Sequence, residues 1–302
     1  MSPASVLIVG FDAADPDILQ AMAADGRLPT VASLLEGGAR AETHNPVGLY
    51  VGALWSSFST SLTPGRHGRH APRQLVRGTY EARPPMPSDV HGQPFWATVS
   101  AAGGKVAVVD VPHAGVSEGL AAVQVVEWGA HDGALGLTTW PTVLARELVA
   151  RFGHHAVHGP QHSCDAARTG EELVALRDDL LSDVARKSRV SRYLLGDDDW
   201  DLFVTVFCES HCAVHQCWHL RDVNHPEHDP VTAVHTGDVM EQVYVALDAA
   251  LRDLLDEAGP DATVLLLASH GSKPHYDGSF LLDQVLRRLE MADMNGRDRR
   301  RR

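Results

Sequence analysis

His211 and His215 stand four residues apart in His211-Cys-Ala-Val-His215. On a helix that spacing puts both imidazoles on one face, where they can reach a single ion. His219 continues the stripe as a further ligand, a supporting residue or a surface residue. Asp12 follows the apolar run 6–10, and His270 follows the run 263–267. In open α/β sheets, ligands bind beyond the carboxyl ends of strands, and the three groups fall at three such ends. Each has a plainer reading: Asp12 as a turn former or helix cap, His270 before Gly271 as structural, the histidine pair as a polar helix face. Their coincidence in one chain favours a shared metal site built from Asp12, His211, His215 and His270. Cys208 and Cys212 have the same spacing as the histidine pair but read better as small buried residues.

The elements that must position these groups alternate along the chain. Short β-branched or apolar runs at 6–10, 105–111, 122–127, 201–207 and 262–268 read as strands. Helical patterning covers 16–24, opened by Asp15-Pro16, and then 30–36, 49–62, 95–102, 140–151, 171–195, a start near 210, 239–257 and 280–291. Such alternation predicts an α/β fold: a doubly wound, mostly parallel sheet with helices on both faces. One domain is expected over 1–292, with a loop-rich insertion around 67–94. The arginine-rich tail 293–302 is expected to be disordered.

The 302 residues carry a formal net charge of −13, which argues against binding a nucleic-acid duplex. No apolar run approaches the roughly 18 residues of a membrane span. The first residues lack the basic start of a signal peptide, and three of the four cysteines crowd into 208–217 rather than forming a disulfide framework. A cytoplasmic protein with reduced thiols is expected, of undetermined oligomeric state. An anionic substrate would need a local positive focus, and Arg66, His67 and Arg69 supply one unless they form a solvated loop.

Several segments together resemble a known family. They are Val6-Leu-Ile-Val-Gly-Phe-Asp12-Ala-Ala-Asp-Pro, Leu28-Pro29, Trp55-Ser-Ser-Phe-Ser-Thr-Ser-Leu-Thr-Pro64-Gly-Arg-His67-Gly68, Phe207-Cys-Glu-Ser-His211-Cys-Ala-Val-His215, and Ala268-Ser269-His270-Gly271. Their order and spacing are similar to the type I phosphodiesterase/nucleotide pyrophosphatase family of the alkaline phosphatase superfamily. The resemblance implies an alkaline-phosphatase-like core, two zinc-like ions, a Thr or Ser nucleophile and hydrolysis of phosphate esters. It also implies that His211 and Ser269 stand where the family has metal-binding aspartates. The nucleophile position falls within 49–51, where Tyr50 is the only nucleophilic group and either attacks or merely lines the pocket. His275 is a candidate for the family's last metal-binding histidine.

Charge arithmetic narrows this expectation. Two divalent ions bring +4, and of the mapped ligands only Asp12 is surely anionic, so a compact pair would stay near +3 and be costly to bury. One divalent ion, most naturally Zn²⁺ in so imidazole-rich a set, is expected unless Glu209 or Asp277 adds a carboxylate. The function expected is metal-dependent hydrolysis of a small anionic phosphate ester, of phosphodiester or nucleotide-like type. Water activated by the ion would attack, with Glu209 as candidate general base. The alternative is a degenerate member that binds an anionic metabolite or a partner.

Overall fold

The computed structural model describes residues 4–45, 49, 52–129, 133, 135–156, 168–273, 281–282 and 284–290. Residues 1–272 make one compact unit. Beyond it, residues 281, 282 and 284–290 are helical, as the pattern over 280–291 predicts. Tyr50, Cys164, His275, Asp277 and the tail 293–302 lie outside the described residues.

The sheet is built from buried apolar runs. In chain order its strands are β1 (Ala4–Phe11), β4 (Val106–Val109), β5 (Ala122–Val126), β6 (Thr138–Trp140), β7 (Trp200–Phe207) and β8 (Thr263–Ala268), while β2 (Gln74–Leu75) and β3 (Ala82–Arg83) form a small separate hairpin in the insertion. The spatial order is β6-β5-β4-β7-β1-β8. All neighbours are parallel except β5 and β6, which are antiparallel. The fold is therefore the mostly parallel α/β sheet expected from the alternating pattern.

Period-two alternation along β1 divides the core in two. Leu7, Val9 and Phe11 face a large layer built from α1 (Pro16–Ala24), α2 (Pro29–Gly37), α6 (Leu144–Phe152), α7 (Gly170–Leu195), α8 (Glu209–Arg221) and α10 (Val239–Ala258). Ile8 faces the other way, into a smaller layer with Trp55 of α3 (Ala53–Thr60) and Trp96 of α5 (Phe95–Ala101). Both faces are thus covered by helices. The short α4 (Pro64–His67) follows α3 directly.

Local chemistry sets the helix starts. Asp15 caps α1 by accepting from the backbone N–H groups of Asp17 and Ile18, with Pro16 at the first position. Helix α2 has no capping side chain of its own. Buried Asp248 of α10 accepts from the Thr30 and Val31 amides instead, so the cap is supplied across the fold.

Several elements differ from the sequence reading, among them the helix expected over 49–62, which is helical over Ala53–Thr60, and the unexpected short α4. The helix expected over 140–151 begins only at Leu144, because Thr138–Trp140 pairs antiparallel with β5. Three residues are too few to show a strand period, and Pro141 follows at once. Helix α9 (Pro230–Thr236) was not expected, although Asp229-Pro230 repeats the Asp-Pro start of α1 and Asp229 caps it. Its polar surroundings, 222–229, hide the signal.

Candidate metal centre

Sheet register brings the site together. Phe11 pairs with Phe207 on one side and Ala268 on the other, so the residues that follow all three strands emerge at one level. The Asp12 amide donates to the Phe207 carbonyl, and the Ser269 amide donates to the Phe11 carbonyl. Ser210, in the first turn of α8, donates its hydroxyl to the Asp12 carbonyl at 2.6 Å. Helix α8 is thereby fastened to the end of β1, and His211 is the next residue.

Asp12, His211 and His270 each offer a ligand atom, and the three atoms lie within 4.8 Å of one another. His211 Nδ1 is 2.9 Å from Asp12 Oδ2, and His270 Nε2 is 3.8 Å from Asp12 Oδ1. The other nitrogen of His270, Nδ1, donates to the Gly271 carbonyl at 2.6 Å, which turns Nε2 toward the carboxylate. Asp12 is buried, and burial alone would raise its pKa. The charge and hydrogen bond of His211, the charge of His270 and the Trp55 indole outweigh that and hold the carboxyl well below its usual range. A carboxylate held in its ionised form beside two imidazole rings is a donor set that suits a divalent transition metal.

His215 lies beside this group. Its ring stacks on His211 with centroids 4.6 Å apart and planes 6° from parallel, and its side chain is exposed. Ser269 enters through Asp12: its hydroxyl donates to Oδ1 at 3.1 Å while accepting from the Ala13 amide. Trp55, which the sequence offers only as an apolar landmark, donates its indole N–H to the same Oδ1 at 2.8 Å.

Glu209 opens α8 but is wholly buried among other charges. Lys187 Nζ lies 3.0 Å from Asp110 Oδ2 and 3.7 Å from Glu209 Oε1, and donates to the Gly129 and Val206 carbonyls. His155 bridges Glu209 and Asp183, and Asp183 also meets Arg186. Burial works against the ammonium of Lys187, yet Asp110 and Glu209 raise its pKa further still, and Lys187 with His155 holds Glu209 ionised against its own burial. The edge of the sheet therefore carries two clusters, one past β4, β5 and β7 and one past β7, β1 and β8.

The basic segment is divided. Arg66 is exposed, whereas His67 and Arg69 are buried. The Arg69 guanidinium donates to the Pro85 carbonyl and contacts His113 Nδ1, and so helps fold the 67–94 segment onto the core. His67 Nδ1 accepts from the Arg69 amide, so the proton sits on Nε2, which donates to Ser57 Oγ at 2.9 Å. In that tautomer His67 cannot take a proton from Ser57, and burial and Arg69 both lower its pKa.

A mostly parallel sheet that gathers a carboxylate and two imidazoles past its strand ends defines an alkaline-phosphatase-like α/β protein. Phosphonoacetate hydrolase from Sinorhizobium meliloti 1021 in complex with phosphonoformate has this fold, with a TM-score of 0.53 at 18% identity over 92% of this chain and 59% of that one. Its complex with phosphonoacetate gives 0.50 at 17% identity and the same coverage. This chain thus spans less than two thirds of the length of that neighbour. The model of the type I phosphodiesterase / nucleotide pyrophosphatase family matches residues 6–299, and the chain belongs to that family. No curated protein matches it. Among the described residues, no helix is long and apolar enough to cross a membrane.

Proposed function

We propose that the chain is a single-ion, metal-dependent hydrolase of small phosphate esters or phosphonates. The observation that carries this reading is the convergence of Asp12, His211 and His270 within 4.8 Å. Three protein ligands with a remaining open position are the usual composition of a catalytic zinc site. When bound, the ion supplies Lewis acidity toward a phosphoryl oxygen and a lowered pKa for water.

The rest of the chemistry falls to the chain's own groups. Asp12 brings the negative charge of the site, and His211 and His270 bring neutral donors. Ser269 and Trp55 hold the carboxylate in place. Glu209 is better read as an anchor than as a general base, because Lys187 and His155 already engage its carboxylate. Arg66 is the exposed guanidinium of the basic segment and the candidate contact for the anion. Tyr50 and His275 stay in the proposal as candidate nucleophile and extra ligand. A cytoplasmic setting is part of the same proposal.

One ion is preferred over two on charge. Among the described residues of the cluster, Asp12 is the one carboxylate, and a second divalent ion would leave the buried site strongly positive. That scarcity of carboxylates also favours a second reading, in which the site binds a phosphate- or phosphonate-bearing metabolite without turnover.

Metal analysis of purified protein, followed by hydrolysis of bis(p-nitrophenyl) phosphate and phosphonoacetate with added Zn²⁺ or Mn²⁺, tests both readings. One equivalent of metal with turnover supports the first reading. Tight metal binding without turnover of any substrate supports the second, and two equivalents per chain would contradict the single-ion form of either.

A further inference from the structure

Trp55 is 2% exposed and crosses the end of β1. A Cβ on Gly10 would come within 3.2 Å of its Cη2 atom, so glycine at position 10 is what allows the indole to lie over the strand. The ring also begins an edge-to-face row. Trp55 meets Phe58 at 5.6 Å, Phe58 meets Phe95 at 5.4 Å, and Phe95 meets Trp96 at 5.2 Å between centroids. Packed against Gly10 and Phe58, the buried indole places its N–H 2.8 Å from Asp12 Oδ1.

A carboxylate oxygen has about two lone-pair sites. On Oδ1 the Trp55 indole takes one and the Ser269 hydroxyl takes the other. Oδ2 faces His211 Nδ1 at 2.9 Å. Two donors sharing one ion at about 2 Å each stand roughly 3 Å apart, so this pair already has the spacing of co-ligands.

We infer that Trp55 is a positioning residue of the metal centre: with Ser269 it saturates Oδ1 and so presents Asp12 to one ion through Oδ2 alone. This rests on the metal-centre reading above and extends it to a residue that cannot itself be a ligand. Indole donates and does not accept, so it competes neither for the ion nor for a proton. Removing such a partner of a ligand typically costs roughly 10–100-fold in metal affinity.

The test uses the full chain, stripped with chelator and titrated with Zn²⁺ against a chromogenic competitor. Trp55→Phe keeps an aromatic ring and loses the N–H. Phe58→Leu loosens the same row without touching Asp12. We expect W55F to bind zinc roughly 10–100-fold more weakly and F58L to bind like the wild type, with similar melting temperatures for the two variants. W55F binding zinc like F58L would overturn the inference while leaving the metal centre intact. A wild-type chain that binds no zinc, manganese or iron would instead remove the metal-centre reading, and this inference with it. Should W55F not fold, wild-type protein labelled with ¹⁵N-tryptophan decides the matter. The Trp55 indole signal, assigned through its contacts to Phe58, is expected to shift on zinc addition, and an unmoved signal would overturn the inference.

Discussion

Lys187 on α7 and Glu209 at the start of α8 face each other 3.7 Å apart with no solvent at either side chain. The contact ties the helix that carries His211 to α7, the longest helix among the described residues, two residues before the first imidazole of the candidate metal centre.

Removing that lysine takes the buried cation away from Asp110 and leaves Glu209 with His155 alone. Lys187→Met is therefore expected to cost about 3–5 kcal/mol of stability, the usual scale for breaking a buried pair on one side. Urea denaturation checks it, and a loss below about 1 kcal/mol, typical of exposed pairs, would show that water reaches the network.

His155 gives the same network a pH dependence. Burial opposes its protonation, but hydrogen bonds to Asp183 and Glu209 and the charge of Glu209 prevail, so its folded pKa lies above the ordinary value near 6.5. A raised folded pKa adds stability that is complete below about 6.5 and is lost as the pH climbs through the folded value. The stability gap between wild type and His155→Gln should be widest near pH 6 and shrink toward pH 9, as read by thermal melts across that range. A gap that grew with pH would reverse the sign.

His215 stacks on His211, and the proposed ligand set of Asp12, His211 and His270 leaves it out. His211→Ala and His270→Ala are each expected to weaken zinc binding by roughly a hundredfold or more, whereas His215→Ala should stay within about tenfold of the wild type. Isothermal titration measures all three. Equal losses would make His215 a fourth ligand.

Gly10 offers an independent handle on the indole. A methyl group there meets Val206 Cγ2 at 3.0 Å and Trp55 Cη2 at 3.2 Å. Gly10→Ala is expected to cost about 1–3 kcal/mol as over-packing. Because the ring must move, zinc affinity should fall as well, and a melt together with a titration on one sample checks both.

Burial pushes the Cys217 thiol up to about 12. Iodoacetamide at pH 8 should leave it unlabelled in the folded chain and alkylate it in urea, with mass spectrometry as the readout. Labelling of the native protein at an unfolded rate would mean that α8 opens.

Much of this was legible in the sequence where a signal was local. The run 6–10, the Asp15-Pro16 start and the long apolar stripes of α7 and α10 fixed strands and helices to within a residue or two. Asp12, His211 and His270 could be grouped because strand ends in a parallel sheet lie on one edge. The partners across the fold could not be read. Trp55 in an apolar stretch looks like ordinary core, and nothing local says its N–H ends on Asp12. That Glu209 meets Lys187 could not be read either, because that lysine is 22 positions upstream on a helix with many charged residues. A hint existed: Leu180, Val184, Lys187, Ser191 and Leu194 share the buried stripe of α7, which puts a lysine where a leucine is usual.

The first turn of α8 belongs to both clusters at once, Glu209 to the ammonium of Lys187 and His211 to the carboxylate of Asp12. The ammonium of Lys187 is covalently part of the chain, and no chelator can take it away. The strand ends and the helix start are therefore braced whether or not metal is bound. Under the proposed function, loading the site is an exchange at a finished surface rather than a folding event, and release of the ion leaves the scaffold standing.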